Sequence, residues 1–424
     1  MPHALRENRM EGCMPTPPVY VYLDRAPDSL LERWLHGYST DADVTVLTLA
    51  PVREYAEALR ARYPSHITVV PYDPARPQDP VTPRLSIPDQ AEVVLTLPTR
   101  VQPLRFHFPY TMPEIQPHYA VVRQLHRLGF RRFRWLSYSG ENHFHIPTLL
   151  DDWVNTHRGR RCFVVGNGPS LAALDMRALK DEITFGCNRV YLGYPHWGFS
   201  FTYWGIYDAV QIERYGVEYL RNCPPHNAAF FPFHYLPLFP RSEGCPVPIE
   251  WHPTQAHGFS DSPERLYVGF TVIHMLLQIA AIMGCDPIIL IGVDHRYPLS
   301  MRVRSGAWQR LRRILMRRLR GTLPYELGQT LWWTWMQHYP ERYWAKMPRV
   351  WKHGDVQAPT HFHDAYTKEE GRIFSPPDLT ESERGYEVAQ RWAQQHGRTI
   401  LNATPNSALT VFPRVAFERL FDPS

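Results

Sequence analysis

The chain has 424 residues, 44% of them hydrophobic and 21% charged, with a formal net charge of +5. That length suits two domains of ordinary size, and the balance is that of a globular protein. The modest charge speaks against nucleic acid as the main partner, and no window approaches the ~20 apolar residues of a membrane span. The six cysteines are scattered without CxxC spacing, which argues against structural zinc and for reduced thiols. The N-terminus shows no signal-peptide pattern, so a cytoplasmic protein is expected. The 41 prolines are close to twice the usual share and predict long connections and rigid turns.

Residues 1–17 lack periodicity and are expected to be loose. From 18 to 140, strands alternate with helices. Strands are expected at Val19–Leu23, Val44–Leu49, Ile67–Val70, Val93–Leu97 and Phe133–Leu136, and helices at Ser29–His36, Val52–Tyr63 and Tyr119–Leu128, the last stopped by Gly129. Such alternation predicts βαβ units and a parallel sheet. Nothing in this stretch reads as a catalytic signature. Residues 141–160 are expected to form a linker, helical from Pro147 to Thr156. Its His143 and His145 invite a metal reading, though a surface linker with incidental histidines is the simpler one.

The second domain is expected over 161–421 and is organised around Cys162–Leu171. Phe163–Val165 reads as a buried strand that breaks at Gly166-Asn167-Gly168-Pro169-Ser170. The two glycines permit φ > 0 and close approach of a ligand, and Pro169 suits the first position of a helix. A helix start after a parallel strand favours phosphate; an ordinary strand-to-helix turn is the competing reading. Further strands are expected at Ile183–Gly186, Phe201–Ile206, Pro287–Val293 and Thr399–Leu401. Helices are expected at Val210–Asn222, Gly269–Gly284 and Thr380–His396, and long loops over 223–262. Gly166–Ser170, Asn188-Arg189, Asp208 and Asp294–Tyr297 then all fall at strand ends, where open α/β sheets bind ligands.

Residues 298–360 interrupt the alternation. Between Arg302 and Arg320 there are eight arginines and no acid, with Trp308, Leu311, Leu315 and Leu319 at helical spacing. This stretch is a candidate for contact with an anionic membrane surface at its inner face, or for a lid over phosphates; a solvated basic helix face is the plain alternative.

Several stretches in order resemble the MptE-like family, named for pyrophosphorylation of 6-hydroxymethyl-dihydropterin, and the related bacterial Rossmann-like sialyltransferases that use a CMP-sugar donor. These are Gly166–Leu171, Cys187-Asn188-Arg189, Gly269–Val272, Ile291–Tyr297, Thr360-His361-Phe362 and Asn402–Ser407. The resemblance spans roughly residues 160–421. It says nothing of residues 1–140; with the alternation read there, the expectation is an α/β chain of two Rossmann-like domains with mainly parallel sheets, the second carrying the nucleotide site and the long basic and aromatic insertion at 298–360. The resemblance further implies that Asn167, Gly168 and Ser170 contact the nucleotide phosphates or ribose and that Asn188 contacts the nucleotide. Gly166, Pro169, Arg189, Asp208, Asp294, Asn402, Asn406 and Ser407 join them as nucleotide-binding candidates at strand ends; Asp294 could instead bind a metal or cap the next turn, and Asp208 could hold Mg²⁺ or cap the 210–222 helix. Tyr297 would meet the departing phosphate and His361 would act as general base, with His363 its competitor. His295 and Arg296 displace the tyrosine from its place after the aspartate in the sialyltransferase pattern.

The implied activity is a glycosyltransferase moving a nucleotide-activated sugar, CMP-linked by preference, onto a surface glycan or small-molecule acceptor, with no required cofactor. The alternatives are a pyrophosphokinase that uses ATP and Mg²⁺, and a non-catalytic nucleotide- or glycan-binding assembly protein. No nucleic-acid partner is expected.

Overall fold

The computed structural model describes residues 19–23, 34, 44–48, 53–62, 67–71, 91–96, 112–137, 140–208, 211–212, 228–238, 244–250, 257–296, 361–366 and 379–422. The helices expected at 29–36 and 210–222 lie largely outside these residues, and the 298–360 insertion and Tyr297 wholly so. The chain divides into two compact units, 1–101 with 122–145, and 102–121 with 146–424. Both are built on α/β sheets of mainly parallel strands.

In the first unit β1 (Val19–Leu23), β2 (Val44–Thr48), β3 (Ile67–Pro71), β4 (Glu92–Thr96) and β5 (Arg132–Ser137) are parallel, and β6 (Gly140–His145) adds an antiparallel edge. The strand order is β3-β2-β1-β4-β5-β6, with one reversal, between β1 and β4, as in doubly wound nucleotide-binding sheets. Helix α1 spans Arg53–Arg62 and α2 spans Met112–Arg127. The second begins seven residues before the expected Tyr119 and runs across the division between residues 121 and 122; Pro113 falls in its first turn, where N–H groups need no intrahelical acceptor, and Pro117 removes one ladder bond beyond it. Residues 140–145 are a strand and not a linker. There His143 Nδ1 meets Glu92 Oε1 at 2.9 Å, and Arg134 Nε donates to Glu92 Oε2 at 2.8 Å. His143 is thereby held by a cross-sheet carboxylate.

The second unit carries a seven-stranded parallel sheet: β7 (Cys162–Val165), β8 (Ile183–Cys187), β9 (Tyr203–Gly205), β10 (Ala228–Pro232), β11 (Cys245–Val247), β14 (Ile288–Ile291) and β15 (Ile400–Asn402). A separate parallel pair is formed by β12 (Ile249–Glu250) and β13 (Leu266–Tyr267). The order β11-β10-β9-β8-β7-β14-β15 has its switch point between β7 and β14. Every residue of β7, β8 and β14 is buried, as strands covered on both faces must be.

Three expectations are corrected here. The 223–262 stretch holds β10, β11 and β12 where loops were expected; strands of two to five residues are too short to show a period of two. A single 3-10 turn, Leu150–Trp153, replaces the helix expected at 147–156. After Ser170 there are two 3-10 turns, Pro169–Ala173 and Met176–Leu179, and no α-helix. The dipole argument for phosphate therefore has no helix behind it. Among the described residues no helix is long and apolar enough to cross a membrane.

Helix α3 (Val272–Ile282) is buried along all 11 residues. Thr271 Oγ1 caps it by accepting from the Ile273 amide. Of its two polar side chains Gln278 is fully satisfied within the unit, whereas His274 is bonded through Nε2 and its buried Nδ1 finds no partner among the described residues. Gln278 Nε2 donates to the Tyr267 and His274 carbonyls, and Gln278 Oε1 accepts from the Ser260 and Tyr267 amides. His274 Nε2 donates to the Gly258 carbonyl at 2.8 Å. Helix α4 (Leu379–Gln395) turns Tyr386, Ala389, Trp392 and Ala393 into the same core.

Burial pushes the His274 imidazole down to about 4. An unfolded histidine titrates near 6.5. Between those values the unfolded chain binds more protons than the folded one, so stability is full above pH 6.5 and falls toward pH 4. The loss from this residue is on the order of 3 kcal/mol. Urea unfolding at pH 7 and pH 4.5 checks it: the pH-dependent drop is expected to shrink in His274→Gln.

Candidate functional site

The site is built where β7 and β14 end side by side. The Gly166 amide donates to the Ile291 carbonyl at 2.8 Å, and the Gly168 amide to the Gly292 carbonyl at 2.9 Å. Ser170 closes the contact, its Oγ donating to Asp294 Oδ2 at 2.7 Å and its amide to Oδ1 at 3.3 Å. Pro169 has no amide hydrogen, so within this loop only the Asn167 amide lacks an acceptor among the described residues. The loop is clamped to its own chain.

The glycines are explained by this clamp. A Cβ on Gly166 would lie 2.3 Å from the Gly292 carbonyl oxygen, and one on Gly168 1.8 Å from Asp294 Oδ2. Neither has a positive φ, in contrast with the expectation; the left-handed residue is Gly292, at φ 64°. What approaches the two glycines is the 292–294 backbone and the Asp294 carboxylate. Burial raises the Asp294 carboxyl above the usual carboxylate range, against the hydrogen bonds from Ser170 that lower it.

A second loop backs the clamp from the far side. Thr404 Oγ1 accepts from the Val293 amide at 3.1 Å, Ser407 Oγ donates to the Val293 carbonyl at 2.6 Å, and the Ala408 amide donates to the Asp294 carbonyl at 2.9 Å. Asn402 is the last residue of β15 and is saturated locally, with Nδ2 donating to the Leu409 carbonyl and Oδ1 accepting from the Thr404 amide. Asn402 and Ser407 thus support the strand end through their own backbone partners. Asn406 is exposed, and its carbonyl accepts from the exposed Arg296 at 3.5 Å. Thr404 was missed because a threonine in a polar loop carries no local signal of the strand it will brace.

Asn167 and Asn188 follow adjacent strands, β7 and β8. Asn167 is 9% exposed. Its Nδ2 donates to the Cys187 carbonyl at 3.0 Å and points at the Tyr366 hydroxyl at 3.4 Å. Asn188 adopts a left-handed backbone, φ 48°, and its carbonyl accepts from the Trp204 indole at 2.7 Å. The side-chain oxygens of both asparagines are buried and find no donor among the described residues. Buried polar atoms are usually paired; these two stand on neighbouring strand ends, while others, such as His157 Nδ1 and His274 Nδ1, lie elsewhere in the unit. The Cys187 thiol beside them is pushed up to about 12 by burial, which makes it inert.

The 361–366 segment lies over these ends. The Phe362 amide donates to the Asn167 carbonyl at 3.0 Å. The buried Arg189 guanidinium donates to the carbonyls of Ala365 and Tyr366, at 2.8 and 3.1 Å. His361 stacks on Tyr366 with ring centroids 3.9 Å apart. Burial and the Arg189 cation push its imidazole down to about 3. His363 Nδ1 accepts from the Ala365 amide at 3.1 Å. Asp208, half-buried after β9, adds to the burial that raises the Tyr207 hydroxyl. The structure therefore brings Asn167, Asn188, Arg189 and His361 together, and separately Gly166, Gly168, Ser170 and Asp294. Among the described residues no group of three or more His, Cys, Asp or Glu side chains is arranged to hold a metal ion.

No family model matches this chain. No curated protein matches it. A solved structure, a MAf glycosyltransferase from Magnetospirillum magneticum AMB-1, aligns over 94% of this chain with 12% identity and a TM-score of 0.34. The chain spans 57% of that protein's length. A likeness of that size speaks to neither activity nor substrate.

Two outcomes are expected. Gly168→Ala forces Asp294 off Ser170 or shifts the backbone, a cost of about 1–3 kcal/mol that chemical denaturation will read. The His361 ring is expected to stay neutral from pH 8 down to pH 5 in imidazole ¹H–¹⁵N spectra, titrating only well below that range.

Proposed function

We propose that this chain is a transferase acting on a nucleotide-activated sugar, CMP-linked by preference, and that it passes the sugar to a hydroxyl of a surface glycan or related acceptor. One observation carries the reading: Asn167 Oδ1 and Asn188 Oδ1, buried without donors at neighbouring strand ends beside a sheet switch point. Each oxygen calls for an N–H or O–H group. A nucleoside supplies both, through the exocyclic amine of cytosine and the ribose hydroxyls. The place is the one where doubly wound sheets take nucleotides, and the ordered motifs from Gly166 to Ser407 resemble enzymes with such donors.

The reaction is a direct displacement. The acceptor hydroxyl loses its proton to a base as its oxygen bonds to the anomeric carbon, and the bond from that carbon to the phosphate oxygen breaks. An imidazole suits the base. The resemblance assigns that role to His361 and assigns the departing phosphate to Tyr297. Asp294 holds the loop that would meet the phosphate; with its carboxylate bound to Ser170, it is committed to the protein and away from Mg²⁺.

A thermal-shift screen with CMP, CDP, UDP, GDP and ATP, each with and without Mg²⁺, tests the reading. Ligand at ~100 times its Kd adds about 2.7 kcal/mol to stability. Stabilisation by CMP without metal is the expected result, and Asn188→Ala should weaken it. Stabilisation by ATP only with Mg²⁺ points instead to pyrophosphoryl transfer.

A further inference from the structure

His295 lies four residues past the end of β14, directly after Asp294, with a left-handed backbone at φ 51°. Such a conformation is uncommon outside glycine, although histidine, asparagine and aspartate tolerate it better than most residues. It is imposed from both sides. Gly292 turns the chain at φ 64°, and Thr404, Ser407 and Ala408 hold the Val293 and Asp294 backbone in place. The imidazole is set edge-on against Tyr386 of α4, with centroids 5.9 Å apart at 68°. Tyr386 is itself 2% exposed and packed edge-on against Phe412. The ring therefore has a fixed wall behind it.

Its nitrogens are not committed to that wall. Among the described residues His295 makes no hydrogen bond, and part of its surface is open. The other histidines near this sheet edge differ. His361 lies flat on Tyr366 beside the Arg189 cation, and His363 already accepts from the Ala365 amide.

We propose that His295, in place of His361, is the proton-accepting side chain of this site. The inference rests on the transferase reading. As the acceptor oxygen bonds to the anomeric carbon, its proton passes to a ring nitrogen of His295, and the electron pair of the broken carbon–oxygen bond leaves on the nucleotide phosphate. No oxidant, reductant or further reactant is needed.

The charged and titratable groups around the ring suit the role. Burial lowers the His295 imidazole and Glu383, from α4, raises it. Tyr386 faces it from the same helix, and Asp208 and Tyr386 add to the burial that raises the Tyr207 hydroxyl. Asp294 and Arg296 flank it in the chain. Burial prevails and lowers the His295 imidazole from its ordinary value, but Glu383 opposes it, whereas at His361 burial and Arg189 act in the same direction.

The test uses the full chain and whichever nucleotide the thermal screen selects. Diethyl pyrocarbonate modifies neutral, accessible imidazole, and peptide mass mapping reads each histidine. His295 is expected to react faster than the buried His274 and to be protected in proportion to nucleotide occupancy. His295→Asn keeps a residue that tolerates the left-handed backbone. It is expected to bind nucleotide nearly unchanged while slowing sugar transfer, or donor hydrolysis without acceptor, by about 10²–10⁴-fold. The limb of the pH–rate profile that reports the base should vanish with it.

An unreactive His295 in the native protein overturns the proposal, as does nucleotide binding that leaves its reactivity unchanged, or a folded His295→Asn that keeps its rate. A screen in which no nucleotide stabilises the protein removes the transferase reading itself and the role of His295 with it, which is a different result from nucleotide binding without protection.

Discussion

The second unit depends on the close approach of two backbones, Gly166–Ser170 and Gly292–Asp294, at the point where its strand order reverses. Parallel strands beside a switch point send their chains away on opposite sides, and a crevice opens between them. Here the crevice is narrowed by hydrogen bonds continuing past the strand ends and by the Ser170–Asp294 contact. Two residues without a Cβ make that distance reachable, since any side chain at Gly166 or Gly168 would overlap the opposing backbone or the Asp294 carboxylate. Everything around the site takes its position from this contact.

The polar groups near it fall into two populations. Asn402, Ser407, Thr404, Gln278 and Arg189 spend their hydrogen bonds on the chain, bracing loops that no regular ladder supports. Asn167 and Asn188 keep side-chain oxygens unpaired in buried positions. Leaving such an atom unmade costs about 1–3 kcal/mol, which a ligand donating to it would recover.

The histidines show how environment, rather than residue type, decides what an imidazole can do. His274 lies on a helix buried along its whole length and is held near 4 by that burial. His361 is held lower still, where desolvation and the Arg189 cation act in the same direction. At His295 burial and Glu383 act in opposite directions. The three carry the same group with one solution pKa, and only their neighbours separate them.

The sequence by itself determined the α/β class and most strands of both sheets. Phe163–Val165, Ile183–Gly186 and Pro287–Val293 are runs of apolar residues bounded by turn residues, and a strand buried on both faces needs no more than that. It also brought Gly166–Ser170, Asn188-Arg189 and Asp294 to one sheet edge, because parallel strands all end on the same side. Only the tertiary structure decided what the residues at that edge do there. Gly168 is small on account of Asp294, 126 residues away; Asn402 braces a loop; and the His361 imidazole is lowered by burial, with Arg189 adding to it. The 3-10 turns after Ser170, the edge strand at 140–145 and the short strands within 223–262 were equally hidden. The contacts of Gly168 and His361 come from residues distant in the chain, and local pattern records the propensity of a segment but not the neighbour that will satisfy its hydrogen bonds or shift its charge.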